Sequence, residues 1–220
     1  MPKQVTNVAT DDALTSIYRM SHDEGEVVIA ARVAERLELK AASVASMIGR
    51  LRRDGLLRVD GRKRITLTAS GLTRAQQMVR RHRLAECLLV DVIGLAWWRA
   101  YEEAHLMEHA ISEVTEPLIV ERLGHPEVTP FGYPMPGTPA EDALSHRLLS
   151  DIAAGETAIV ERVFEESEDL LQFFDREDIR PGTELHVQDV APFLGTLTLQ
   201  LHGRQLVIGL QAARRIWVVE

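Results

Sequence analysis

Two sets of histidine and glutamate residues have the spacing that places their members on one face of a helix. The first set comprises His105, Glu108 and His109, at positions i, i+3 and i+4, and the second comprises His82 and Glu86, at i and i+4. Residues three and four apart are neighbours on a helix surface, so the members of each set can reach one ion. Imidazole and carboxylate ligands without a thiolate favour divalent manganese, iron, cobalt, nickel or zinc. The two sets together predict a metal site between two helices, although one such pattern alone is also typical of solvent-exposed helix surface.

The string from His105 to His109 also has the His-x-x-Glu-His order of one class of zinc peptidase. A metal-dependent hydrolase is therefore an alternative. Against it, nothing else in the sequence suggests a substrate cleft, and no nucleophile-elbow, phosphate-binding or dinucleotide-binding motif is present.

Charge is distributed unevenly along the chain. Residues 40–64 contain eight lysine or arginine residues and two aspartates, whereas the formal net charge of the whole chain is −8. A compact basic segment on an acidic body is typical of a local DNA-binding face, although charge alone also fits a solvated basic helix.

The basic segment lies within a pattern of helix, turn, helix and hairpin. Apolar periodicity predicts helices over residues 11–22, where Asp11 or Asp12 can cap the start, and over 30–37 and 43–55. Two strands follow, at 56–59 and 64–68, joined by a turn that begins Asp-Gly. This order predicts a winged helix-turn-helix, whose second helix enters the major groove of double-stranded DNA.

Two sets of residues in this segment are predicted to contact DNA. The side chains predicted to reach base edges are those of Ala42, Ser43, Ser46 and Arg50. The side chains predicted to contact phosphates are those of Lys40, Arg53, Arg62 and Lys63.

The remainder of the chain predicts a helical segment and then a small β domain. Long helices are expected over residues 69–91 and 97–122, the second broken near Pro117, and they are suited to form a dimer interface. Residues 123–142 contain five of the nine prolines and predict a linker without helix or strand. Short strands are then expected at 156–164, 184–190, 195–201, 205–209 and 216–219, with a helix at 167–174.

The predicted fold is therefore mostly α with a small β domain. We expect a winged helix-turn-helix in residues 1–73, a helical dimerisation and metal-binding domain in 74–142, and a β domain in 143–220. The single cysteine, Cys87, lies among leucines and is expected to be a buried thiol. With no apolar signal core and no membrane-length apolar run, the sequence predicts a cytoplasmic protein without a membrane partner.

Nearly the whole chain resembles the diphtheria toxin repressor and manganese transport regulator family. The motifs that carry the resemblance are Ile17-Tyr18, residues 32–37, 53–56 and 66–68 with Gly71, residues 81–86, Glu108-His109 and the Pro-Phe-Gly-Tyr-Pro-Met-Pro-Gly string at 130–137. The resemblance implies a homodimeric transcriptional repressor that controls manganese or iron homeostasis genes with the metal as co-repressor. It also implies that the C-terminal domain is an SH3-like β-barrel.

The resemblance further implies two neighbouring metal sites. The primary site would comprise Asp12, His105, Glu108 and His109. The ancillary site would use His82 and Glu86, with Glu166 and Asp169 donated by the barrel. Tyr101 stands where iron-type members have a histidine.

The ligands of the primary site indicate which metals to expect. The Asp12 carboxylate favours Mn(II), whereas His105 shifts the preference towards softer borderline metals. We expect Mn(II) first and Fe(II) second, with Zn(II), Co(II) or Ni(II) binding in vitro. An iron-selective regulator of the same family is the alternative.

The resemblance suggests how metal would control DNA binding. Metal held through Asp12 would lock the N-terminal helix onto the dimerisation helices and set the spacing of the two recognition helices. The alternative is that metal stabilises the fold or the dimer and leaves DNA affinity unchanged.

Overall fold

A computed structural model describes residues 8–220, and its N-terminal part is the predicted winged helix-turn-helix. Helix α1 spans Val8–Tyr18 and continues through a π-helical turn at Arg19–Asp23; α2 spans Ala30–Arg36 and α3 spans Ala41–Arg53. Strands β1 (Leu57–Val59) and β2 (Ile65–Leu67) form the antiparallel wing. Because α1 begins at Val8, Asp11 and Asp12 lie inside the helix, and the prediction that one of them caps it is wrong.

The wing differs in detail from a tight Asp-Gly turn. Pairing of Val59 with Ile65 leaves a loop of residues 60–64. Asp60 Oδ1 accepts hydrogen bonds from the backbone N–H groups of Arg62 (2.8 Å) and Arg64 (2.9 Å). The residue of this loop with left-handed backbone is Lys63, with φ +61°, whereas Gly61 does not have a positive φ. The Asp60 side chain thus shapes the loop and holds the basic tip outward.

Three helices follow the wing. Helix α4 spans Ala69–Cys87 and continues as a π-helical turn at Leu88–Ile93. After a 3-10 turn at Trp97–Arg99 come α5 (Ala100–Glu108) and α6 (Thr115–Arg122). The expected helix 97–122 is therefore two helices. The break lies at residues 109–114, not near Pro117, which sits in the first turn of α6, where a missing N–H is tolerated.

The proline-rich segment is less featureless than expected. A short helix, α7, spans Pro139–Asp142, and an isolated β-bridge joins Val128 to Pro134. The prediction that this segment contains no helix or strand is therefore wrong. At Gly132, with φ +92°, a Cβ atom would lie 2.1 Å from the backbone oxygen of Glu161. Only glycine lets this segment approach the β domain so closely.

The C-terminal domain is a five-stranded antiparallel sheet with the order β6-β5-β4-β3-β7. Its strands are β3 (Thr157–Val163), β4 (Glu184–Ala191), β5 (Thr196–Leu201), β6 (Arg204–Gly209) and β7 (Ile216–Val219). Two helices accompany the sheet: α8 (Glu168–Glu177) follows β3, and the short α9 (Leu210–Ala213), which was not predicted, precedes β7. Its core continues into Trp97 and Phe131, so the sheet packs directly on the helical region.

Two further expectations concern the environment of the chain. Within residues 8–220, no helix is both long and apolar enough to cross a bilayer. Cys87 is 1% exposed, and burial raises the pKa of its thiol well above the ordinary value.

Candidate metal centre and nucleic-acid interface

Helix α4 packs against both α1 and α5, and this arrangement brings the predicted donors together. Three overlapping groups form, each with its donor atoms within 4.8 Å of one another. The groups are Asp12–Glu108–His109, His82–His105–Glu108 and His82–Glu86–Glu165. Six of the eight predicted ligands therefore lie in one continuous cluster, and Glu108 belongs to two of its groups.

The group of Asp12, Glu108 and His109 has the vacant donor atoms that a cation requires. His109 Nε2 lies 3.8 Å from Asp12 Oδ1 and 3.4 Å from Glu108 Oε1. Asp12 Oδ1 and both ring nitrogens of His109 are buried and make no hydrogen bond to any residue from 8 to 220. Buried polar atoms normally have partners, so these orphaned atoms fit a bound divalent metal.

Glu108 is the electrostatic centre of the cluster. It is 3% exposed, and its oxygens lie 2.6 Å from His82 Nδ1 and 3.2 Å from His105 Nδ1. Burial raises the pKa of Glu108, but hydrogen bonds from His105 and His82 outweigh it and hold the pKa at about 2. Glu108 is therefore a carboxylate at neutral pH, ready to accept a metal without losing a proton.

The pKa values of His82 and Asp12 are both raised, but for different reasons. Burial lowers the pKa of His82, but the charge of Glu86 and the hydrogen bonds to Glu108 and Glu86 raise it to about 9. Burial raises the pKa of Asp12, against the opposing charges of His105 and His109. Metal binding by His82 would thus require loss of a proton, whereas Asp12 gains most from a cation that offsets its burial.

The third group contains a residue that the sequence analysis did not select. Glu165 is 2% exposed and joins His82 and Glu86, whose contact between Nε2 and Oε1 is 3.1 Å. The two predicted barrel ligands, Glu166 and Asp169, are not members of this group. Glu166 is ion-paired with Arg36, and Asp169 is exposed in the first turn of α8. Neither belongs to a donor group within residues 8–220, and their part in a metal site stays a prediction.

A cavity of about 620 Å³ opens beside the cluster. Asp12, His105 and Glu108 line one part of it, and Arg19 and Tyr101 line another. The exposed His105 and the half-buried Asp12 give an ion a path from solvent to the buried carboxylate of Glu108.

The predicted DNA-contacting residues form an open surface on the winged domain. Buried Val44 and Leu51 hold α3 against the domain core, and the side facing away is polar and basic. All eight predicted residues are exposed: Lys40, Ala42, Ser43, Ser46, Arg50, Arg53, Arg62 and Lys63. Among residues 8–220, no acidic side chain forms a salt bridge with any of the five basic members. The surface is therefore free to meet phosphates, and the individual DNA contacts stay predictions.

Models of three families match consecutive parts of the chain. Residues 6–65 match the iron dependent repressor N-terminal DNA binding domain, residues 68–137 match the iron dependent repressor metal binding and dimerisation domain, and residues 147–220 match the FeoA domain. The predicted boundaries near residues 73 and 142 stay predictions.

The sequence is similar to several characterised repressors. It is 40% identical to the iron-dependent repressor IdeR of Mycobacterium tuberculosis over 159 residues, 69% of each chain, and 33% identical to the diphtheria toxin repressor of Corynebacterium diphtheriae over 209 residues, 90% of each. The match to the repressor of Mycobacterium leprae, at 44% identity, spans 55% of that protein.

Solved structures share the fold of this chain. A manganese-dependent transcriptional repressor in complex with manganese superimposes with a TM-score of 0.86 at 32% identity, covering 96% of this chain and 99% of that one. The IdeR of T. acidophilum gives 0.76 at 26% identity, covering 99% of each chain.

Proposed function

Since this chain belongs to the iron-dependent repressor family of metal-dependent, DNA-binding transcriptional repressors, we propose that manganese is its physiological co-repressor. The observation that carries the proposal is the Asp12–Glu108–His109 group, with its orphaned oxygen and ring nitrogens. His105, which contacts Glu108, completes the set. Because members of the family are repressors and not enzymes, the hydrolase alternative is set aside.

The donor chemistry favours manganese over iron. Two carboxylates are hard ligands, and hard oxygen donors suit Mn(II), whereas the imidazoles of His105 and His109 keep Fe(II) as the second choice. The relatives named above include both iron-dependent and manganese-dependent repressors.

Asp12 is the residue through which metal binding would affect the DNA-binding face. It is carried by α1, and the same helix packs Ala13 and Ile17 into the core that contains Val44 of the recognition helix α3. Glu108 and His109 belong to α5 and its end. A bound cation would supply the positive charge that lets the carboxylates of α1 and α5 approach. The position of α1 would then set the position of α3.

A homodimer would present two recognition helices to an operator. A dimerisation-domain model matches residues 68–137, and this region carries exposed apolar side chains. These are Ile93 (62%), Leu106 (74%), Val114 (76%) and Leu118 (66%). Exposed apolar side chains in a dimerisation region suit the isologous interface of a two-fold protein, and an operator-binding dimer would act in the cytoplasm.

Fluorescence anisotropy of the metal-stripped protein with labelled DNA from its own upstream region tests the proposal. Mn(II), Fe(II) and Zn(II) are titrated at fixed salt. We expect tight binding only with metal, with Mn(II) effective at the lowest free concentration. Equal binding with and without metal would refute the co-repressor role, and a stronger response to Fe(II) would identify an iron regulator.

A further inference from the structure

Arg19 is a buried cation beside the third donor group. It lies in the π-helical turn after α1 and is 3% exposed. Its Nη1 donates to Glu165 Oε1 and lies 3.5 Å from Glu166 Oε1. Its guanidinium carbon lies 5.1 Å from the centroid of the Tyr101 ring, which is 4.9 Å from the His82 ring. Arg19 is therefore held by a carboxylate on one side and an aromatic ring on the other.

Most donor atoms around Arg19 already have a partner. One oxygen of Glu165 accepts from Arg19, and Glu166 accepts from Arg36 Nη2. Both nitrogens of His82 face carboxylate oxygens, those of Glu86 at 3.1 Å and Glu108 at 2.6 Å. Vacant donor atoms occur at both ends: Asp12 Oδ1 and the His109 ring nitrogens at one, Glu86 Oε2 and Glu165 Oε2 at the other. The two ends differ instead in their fixed charge, because among residues 8–220 only the third group has an arginine in contact with one of its carboxylates.

A guanidinium differs from a histidine in one decisive respect. Arginine remains charged at all physiological pH values, so it cannot give way by losing a proton. A divalent ion among His82, Glu86 and Glu165 would lie close to this permanent positive charge and would compete with it for the Glu165 carboxylate.

We propose that Arg19 is the resident cation of the third donor group, so that each chain binds one divalent ion at Asp12–Glu108–His109 and none at His82–Glu86–Glu165. This inference rests on the proposed function of the first site, and it departs from the two-metal arrangement that the sequence resemblance implied. The ion pair also joins α1 to the segment after β3 without any metal. The β domain is then held against the DNA-binding domain in the metal-free protein.

Native mass spectrometry of the full-length protein with Mn(II) measures the number of ions per chain. At a Mn(II) concentration just sufficient to saturate wild type, we expect one ion for wild type and two for Arg19→Met. At the same concentration the weakened site of His109→Ala should be empty, and the variant that combines Arg19→Met with His109→Ala should bind one ion. Methionine is unbranched and apolar and can occupy the space of the arginine stem, so the change removes the cation and keeps most of the packing. Electron paramagnetic resonance gives a second readout. The resolved hyperfine pattern of an isolated Mn(II) should give way to a spin-coupled signal in Arg19→Met.

Two further variants keep the inference testable should Arg19→Met fail to fold. Arg19→Lys retains the charge and should still bind one ion. Glu165→Gln removes a carboxylate that, on this view, serves Arg19, so it should also bind one. Two ions on wild type, or one on a folded Arg19→Met, would overturn the inference and leave the proposed function standing. No ion on wild type would overturn both together.

Discussion

Replacing Asp12 by alanine separates metal binding from metal control of DNA binding. Asp12 is the only member of its donor group that lies on α1, and Glu108 and His109 both come from α5 and its end. The variant keeps His105, Glu108 and His109, so it should still bind Mn(II), with lower affinity. It loses the ligand that α1 contributes, so metal should no longer join α1 to α5 or fix the position of the recognition helix.

The size of the effect follows from the charges. Two unit charges 4.8 Å apart, the limit for the Asp12 and Glu108 donor atoms, repel by about 3.5 kcal/mol at an effective dielectric constant of about 20. Solvent and the neighbouring histidines screen part of this, because the Asp12 side chain is 28% exposed. A coupling of about 1–3 kcal/mol remains, which corresponds to a change of roughly 5–150-fold in DNA affinity.

Anisotropy with operator DNA at saturating and zero Mn(II) measures the coupling directly. Wild type should show a ratio of Kd values in this range, and Asp12→Ala should show a ratio near one. Asp11→Asn is the matched control, because its carboxylate lies on the same helix, pairs with Arg74 at 2.7 Å and belongs to no donor group among residues 8–220. An Asp12→Ala protein that dimerises and keeps the wild-type ratio would refute the reasoning.

Three other changes test separate parts of the structure. Arg62→Ala and Lys63→Ala should each weaken DNA binding uniformly across sequences and reduce the salt slope by about 0.9, measured by anisotropy at several salt concentrations; an unchanged slope would exclude a phosphate contact. In metal-free protein, the pKa of His82 is raised to about 9, so its stabilisation is complete below about 6.5 and is lost as pH rises through 9. Calorimetry should therefore show that wild type is more stable than His82→Gln by a margin that shrinks across that pH range. A constant margin would contradict the upward shift of the His82 pKa. Gly132→Ala should lower the free energy of unfolding by more than about 3 kcal/mol in urea, because its Cβ would meet the Glu161 oxygen at 2.1 Å, whereas Gly61→Ala, with no atom within 4 Å, should change it by less than about 0.5 kcal/mol.

Local patterns in the sequence predict most of the longer helices and most of the donor cluster. The prediction that His105, Glu108 and His109 share one helix face requires only helix periodicity. The prediction of a basic hairpin after α3 requires only residues that are close in the sequence. The predicted position of the break after Glu108 is wrong because a proline within a helical pattern indicates a break, whereas Pro117 lies in the first turn of the next helix. The competing signal is that proline suits a first helical turn as well as it ends a helix.

Long-range features were beyond the reach of such patterns. A register shift between Val160 and Arg162 in β3 interrupts the alternation of buried residues, and Arg162 and Val163 are both buried. Simple alternation from Ala158 points Glu166 inward, but after the shift the inward residue is Glu165. Arg19 and Glu165 are 146 positions apart, so no local pattern joins them.

The buried thiol of Cys87 has a consequence for redox chemistry. The three donor groups contain only imidazole and carboxylate, and the single cysteine of the chain is enclosed among apolar side chains with its pKa raised. Reactivity towards peroxide, disulfides and alkylating reagents requires an accessible thiolate. A repressor built in this way should keep its metal response under oxidative stress, when a thiolate-ligated sensor would be inactivated.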